Sequence, residues 1–316
     1  MRQRAVVVVL GVVAIAWSSV LGAALPAGAV AGWKLPWLGD AAFSPDGRHL
    51  AVATTYAVLL YETGGWEVTR AFPVPGSNVF SVAFSADGRL LAAGAVNEVR
   101  VWDVATGDLV HTVSGLFGTV YAVAFAPDGA LAIGATDGSL RQWDLAAEEN
   151  LWVRTPHTVP VRGIVFSLDG TQMASGGIDQ AILWDTATWE VLHAFPGKAW
   201  DVTFSPDGYF LVVGWGKLVR LWDTAVGLLY RELWGHESCV VAVAASPDGT
   251  LLASGSLDEM ARLWDPEAGT CLAVLRGHGG VVVAVRFSPD GSLLVTASDD
   301  GTVIVWDLPL LLASQR

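Results

Sequence analysis

The sequence predicts an all-β fold of seven four-stranded antiparallel units packed radially. Three observations carry this. A five-residue turn motif returns seven times at a nearly constant period, and an aromatic–acid pair rides behind it at a fixed offset. Short apolar runs fill the intervals between turn residues, as strands of an antiparallel meander do.

The turn motif comes first. FSPDG stands at 43–47, 204–208 and 287–291, with near-copies FSADG (84–88), FAPDG (125–129), FSLDG (166–170) and ASPDG (245–249). Its chemistry is that of a tight turn: Pro presets φ, Asp bonds its own backbone and Gly takes positive φ. Successive copies begin 41, 41, 41, 38, 41 and 42 residues apart. A fixed period near 40 marks a repeat architecture.

The second motif is LYE at 60–62, then VWD (101–103), QWD (142–144), LWD (183–185), LWD (221–223), LWD (263–265) and VWD (305–307). Its aromatic residue follows the motif start by 18 residues in five copies and by 19 in the last two. The sixth unit displays all four strands: CVVAVAA (239–245), LLASGS (251–256), ARLWD (261–265) and TCLAVL (270–275). Runs that are apolar on both sides, such as VVVAV (281–285), suit sheets covered on both faces.

The Trp-Asp pairs, the Gly-His pairs Gly235-His236 and Gly277-His278, and the SPDG turns together resemble the WD-repeat family over about residues 28–316. The resemblance implies a seven-bladed β-propeller, whose radial closure protects sheet edges. The first unit departs most, with Tyr61-Glu62 for Trp-Asp and no Gly-His, and the fifth is three residues short around FPGKAW and lacks the His. Only LPLLLASQR follows Asp307, too little for a full outer strand. Residues 27–34 are therefore expected to supply the last blade's outer strand, and if signal cleavage removes that stretch, residues 310–314 must serve instead.

The N-terminus reads separately. MRQR, an uncharged apolar run over residues 5–25 and the A-x-A sequences Ala27-Gly28-Ala29 and Ala29-Val30-Ala31 have the form of an export signal. The run is also long enough to span a bilayer if left uncleaved. The expected division is residues 1–29 as signal peptide or membrane anchor and residues 30–316 as propeller. The propeller is expected outside the cytoplasm, whether secreted, periplasmic or membrane-anchored, and Arg2 and Arg4 orient an anchor the same way.

His157, His236 and His278 each lie nine residues before their own turn motif. They thus occupy one place in three different blades, too far apart to share a metal ion. The family resemblance implies that each joins a buried polar chain with a strand hydroxyl, a turn Asp and the Trp. The sets are His157, Ser175, Asp179 and Trp184; His236, Ser254, Asp258 and Trp264; and His278, Thr296, Asp300 and Trp306. In each, the Asp accepts directly from the His, and buried polar groups are satisfied in this way. A Ser-His-Asp set also invites a hydrolase reading. Three tandem copies, each tied to a Trp, point to scaffolding instead.

Composition sets further limits. The net charge of −13 argues against nucleic acid, which needs clustered Lys and Arg. Seven Asp in turn motifs, six in Trp-Asp pairs and four in inner turns supply more than half of the 31 acids, so the acidity is mostly repeat geometry. Cys239, expected in an inner strand, and Cys271, in an outer one, are too far apart for a disulfide and read as small apolar fillers. No phosphate-cradling loop, nucleophile elbow or paired-carboxylate site is present, and no cofactor or metal is expected.

These readings point to a non-catalytic platform for a protein or peptide ligand on the top face, expected as a monomer. The competing reading, an enzymatic or ligand-binding propeller, needs convergent acids, His or a metal at the central channel, whereas the inner strands read as Val- and Ala-rich. A structural spacer without a ligand is the third possibility. By family resemblance, the residue four before each motif start faces the channel mouth: Gly39, Phe80, Tyr121, Arg162, Trp200, Val241 and Val283. Phe80, Tyr121, Arg162 and Trp200 are the expected binding residues, because aromatics and Arg are enriched at interfaces. The competing view is that these rings merely plug the channel.

Overall fold

A computed structural model describes residues 25–313, together with a short antiparallel pairing of Val7–Val9 with Val12–Ala14. The expected signal or anchor at 5–25 otherwise lies outside the described residues. No helix among the described residues is long and apolar enough to cross a membrane.

Seven antiparallel sheets follow one another around a ring, which makes the protein a seven-bladed β-propeller. The fourth blade shows the pattern: Val161–Phe166 is innermost, followed outward by Gln172–Gly177, Gln180–Asp185 and Val191–Pro196. The first blade achieves the same with three elements: Leu38–Phe43, His49–Glu62 and Glu67–Asn78. Its middle element doubles back, since Thr63 N–H donates to Arg48 C=O at 3.0 Å. No Gly is available at that bend, and Tyr56 takes a φ of 68° itself.

The turn motif acts as read. In six of its seven copies a Ser hydroxyl donates to the Asp two residues on, as Ser44 Oγ does to Asp46 Oδ1 at 2.6 Å. The Asp in turn accepts the N–H two residues further on, here that of Arg48 at 3.0 Å. Gly47 closes the turn at φ 70°, a region that a β-carbon disfavours. The Asp of each Trp-Asp pair caps the next turn, as Asp185 Oδ1 does for Thr188 N–H at 2.8 Å.

Hydrophobic cores lie between neighbouring blades. Phe72 of the first blade packs against Trp102 of the second with ring centroids 5.5 Å apart, and both are fully buried. Burying each such side chain stabilises by about 1.5–3 kcal/mol. Where Tyr61 stands in place of Trp, it stacks on Trp33 at 4.6 Å, and Trp33 also meets Trp66 at 5.7 Å. An aromatic cluster thus replaces the polar chain in the first blade.

Ring closure uses the N-terminal segment. Ala29–Lys34 pairs antiparallel with Thr302–Asp307 and becomes the outer strand of the seventh blade. Residues after Asp307 form the helix Leu308–Ala313, which buries Leu308 and Leu311. Asp307 caps that helix by accepting the N–H of Leu310 at 2.8 Å. The expected boundary at 29/30 therefore falls inside the closing strand.

The cysteines differ from expectation. Cys239 sits just before the inner strand Val240–Ala245 and is half-buried, while Cys271 is exposed on an outer strand. An outer strand has no sheet beyond it to cover that face, so Cys271 fills no core.

Candidate functional site

Each of the three polar sets is brought together inside its own blade. His157 Nδ1 lies 2.9 Å from Asp179 Oδ1, His157 Nε2 lies 2.9 Å from Ser175 Oγ, and the Trp184 indole donates to the same Oγ at 3.0 Å. An ionised carboxylate only accepts, so Nδ1 carries the proton and Ser175 donates to Nε2. In the sixth blade the corresponding distances through His236, Asp258, Ser254 and Trp264 are 2.8, 2.7 and 2.8 Å. Burial holds both imidazoles below their usual range despite the Asp partners.

The seventh blade departs from the expected direct His–Asp contact. His278 Nδ1 meets Thr302 Oγ1 at 2.5 Å, and Thr302 passes the chain on to Asp300 Oδ1 at 2.6 Å. Thr296 Oγ1 lies 2.6 Å from Nε2 and accepts the Trp306 indole N–H at 2.9 Å. The reason is local: two residues after the turn Asp, this blade carries a hydroxyl where the others have Ala181 and Met260. Without a carboxylate in direct contact, His278 is pushed by burial down to about 4. The His, hydroxyl and Trp of each chain are buried within the blade while the Asp is partly exposed, an arrangement that holds sheet layers together and keeps the hydroxyl away from solvent.

The second constellation lines the central channel, which encloses about 850 Å³. A register slip of the inner strand pair, a β-bulge, occurs at one place in six blades: at Gly39, Tyr121, Arg162, Trp200-Asp201, Val241 and Val283. A bulged residue leaves the ladder and its side chain is re-aimed. In the second blade Phe80 directly precedes the inner strand Ser81–Phe84. All seven residues line the channel.

Four of them touch in sequence around the ring. Phe80 meets Tyr121 edge-to-face at 5.3 Å, and the Arg162 guanidinium carbon lies 4.2 Å from the Tyr121 ring centre and 4.7 Å from that of Trp200. The arc extends one residue beyond the expected set, because Trp37 meets Phe80 at 5.5 Å. Gly39 marks that extension. A β-carbon there would lie 2.8 Å from the Trp37 ring and 2.3 Å from the Val79 carbonyl oxygen, so only Gly admits the indole.

The expectation that the channel lacks convergent acids is corrected. Asp40, Asp201 and Arg286 all line it. Arg286 Nη2 bonds Asp40 Oδ1 at 2.8 Å. Asp40 Oδ2 accepts Val82 N–H at 3.1 Å and Asp201 Oδ2 accepts Val243 N–H at 2.9 Å, each reaching into the following blade. Ser81 does the same for Val123 at 3.2 Å. Burial pushes Asp201 up to about 6 although Arg286 draws it down, and burial likewise raises Asp40. The signal for these residues was positional: Asp40, Ser81 and Asp201 each stand three residues before a turn motif, where other blades carry Ala or Gly. Read individually they are strand residues; read in register they are blade-to-blade staples.

Comparison with known proteins bears on the same repeats. Residues 66–103, 107–144, 149–185, 189–223, 227–265 and 269–307 match the repeat described as "WD domain, G-beta repeat", over two thirds of the chain together. The unit ending at Tyr61-Glu62 precedes them. Among similar proteins, the Intraflagellar transport protein 122 homolog of Danio rerio is 45% identical over 60 residues, 19% of this chain and 5% of that protein. Small ribosomal subunit protein RACK1 of Caenorhabditis elegans is 33% identical over 119 residues, 33% of this chain and 36% of that protein. WD repeat-containing protein VIP3 of Arabidopsis thaliana is 33% identical over 123 residues, 33% of this chain and 38% of that protein. The chain thus spans well under half the length of the relatives it matches. With the repeat present in six matched copies and the seven blades closed into a ring, the chain belongs to the WD-repeat family.

Proposed function

We propose that the protein is a non-catalytic scaffold that binds a protein or peptide at the channel mouth. WD-repeat propellers typically act as protein-interaction scaffolds. The observation that carries the reading here is the arc from Trp37 through Phe80, Tyr121 and Arg162 to Trp200, which occupies one side of the mouth. Large rigid rings around a cation are the residue types that dominate binding energy at interfaces. Val241 and Val283 on the other side leave the site lopsided, which suits an extended ligand entering from one edge. Trp37, Phe80, Tyr121 and Trp200 are each partly rather than fully buried, which favours this reading over a channel plug.

The same proposal puts the ring outside the cytoplasmic membrane, on the strength of MRQR, the apolar run and the A-x-A sequences. The test of the binding surface is a comparison of proteins from the native host retained by the full chain and by a Tyr121→Ala, Trp200→Ala double variant. Partners lost by the folded double variant support it. A double variant that melts far lower yet retains every partner refutes it.

A further inference from the structure

We propose that Arg162 is a preorganised anchor for a carboxylate, so that the mouth takes an Asp or Glu side chain of the partner peptide. The proposal rests on the platform reading and names the chemistry of its ligand.

Two arginines line the channel, Arg162 and Arg286, and they differ in their partners. Arg286 bonds Asp40, Arg220 bonds Glu232 and Arg100 bonds Glu98, while Arg70 is held by the carbonyls of Thr106 and Ala105. Arg162 has no hydrogen-bond acceptor and no ion-pair partner among the described residues; its contacts are the rings of Tyr121 and Trp200 from the blades on either side. Ring contacts supply no hydrogen-bond acceptor, so the N–H edge of the guanidinium stays unpaired. That edge is a planar fork of donors that matches a carboxylate bidentately. A half-buried charge without a counter-ion is unfavourable, and an incoming anion relieves it.

The surroundings favour an anion on this side. Lys198, at the entrance to the neighbouring blade, is exposed and likewise without an acidic partner among the described residues. The channel's own carboxylates are engaged elsewhere, Asp40 by Arg286 and Val82 and Asp201 by Val202 and Val243. Asp299 lies on the seventh blade, with Val281 and Val283. Phe80 and Trp37 continue the arc beyond Tyr121, so an apolar residue beside the acid has rings to cover it. Because two rings already fix the guanidinium, little side-chain freedom is lost on binding.

The test is selection of peptides from a random dodecapeptide display library on the full chain. Peptides that depend on Tyr121 and Trp200 are expected to carry an Asp or Glu. Changing that acid to its amide, or Arg162→Gln in the protein, should weaken binding about tenfold or more. Both changes together should weaken it no further than either alone. Arg162→Lys keeps the charge without the fork and should recover only part. Circular dichroism melting confirms that each variant is folded. Peptides that need Tyr121 and Trp200 but ignore the acid-to-amide change, or bind Arg162→Gln equally well, overturn the carboxylate anchor and leave the platform standing. Phosphoserine binding far better than Glu, or dependence on a free C-terminal carboxylate, overturns the side-chain source. Recovery of no peptide that depends on Tyr121 and Trp200 overturns the platform and the anchor with it.

Discussion

Arg286 and Asp40 stand 246 positions apart in the chain and meet at 2.8 Å inside the channel. Their contact joins the seventh blade to the first at the inner radius. At the outer radius, Ala29–Lys34 crosses the same seam and pairs with Thr302–Asp307. The ring is therefore closed twice, once by an ion pair and once by a strand.

Loss of the inner closure should be measurable. Asp40→Asn takes from Arg286 its hydrogen-bonded carboxylate, leaving only the charge of Asp201 nearby, and weakens the acceptor for Val82 N–H, which costs about 2 kcal/mol. The Arg286 side chain is 31% exposed to channel water, which keeps the loss below that of a fully buried pair. Urea unfolding of the two proteins checks this, and an unchanged midpoint would show that the contact adds nothing to ring closure.

The polar chain of the seventh blade should depend on Thr302 as much as on His278. His278→Ala and Thr302→Val each sever the link between Thr296 and Asp300 and should cost about 1–3 kcal/mol. His193 lies outside the pattern, and its change to Ala should stay within about 0.5 kcal/mol. Thermal melting of the three variants is the measurement. A harmless Thr302→Val would mean that His278 reaches Asp300 without it.

Acid should expose these histidines. A His whose folded pKa is lowered takes up a proton more readily when unfolded, so its contribution is complete above the unfolded value of about 6.5. For His278 that contribution falls away as pH drops from there towards about 4. Replacing His278 with Gln should flatten stability against pH across this window, as followed by denaturant titration. An identical slope in both proteins would contradict the assignment.

Asp201 should act in the opposite sense. Its folded pKa is raised to about 6, so the folded state holds the proton more tightly and stability from this group falls as pH rises from about 4 to 6. Asp201→Asn should therefore compare more favourably with the native chain at pH 7 than at pH 4. Unfolding at the two pH values decides it, and a constant difference would mean that Asp201 titrates normally.

Export, if it occurs, should trim the closing strand without undoing it. Cleavage at the A-x-A sequences starts the mature chain at Val30 or Gly32, and Gly32–Lys34 still pairs with Thr302–Ile304. Trp33, which is buried, stays in place. Expression in a bacterial host followed by intact mass of the extracytoplasmic fraction tests this. Full-length protein confined to the cytoplasm would refute the export reading.

The repeat itself determined the blade count and the turn positions, while the grouping of each His with its hydroxyl and Trp came from the resemblance to the WD-repeat family. The turns recur at fixed spacing along the chain, and a period is visible without coordinates. The channel-facing place of the residue four before each motif start was implied by the same resemblance, and in the structure the bulge that aims Tyr121 or Arg162 at the channel recurs with the repeat. What only the tertiary structure decided lies where different blades meet or where one blade differs from the rest. Trp37 enters the arc because Gly39 leaves it room, a fit between two residues in the first blade alone. Thr302 slips between His278 and Asp300 because the seventh blade carries a hydroxyl where others do not. Asp40 and Arg286 find each other only because the ring closes and brings the two ends of the chain together. A linear pattern specifies what each unit repeats, whereas contacts across the channel and the seam depend on the geometry of closure.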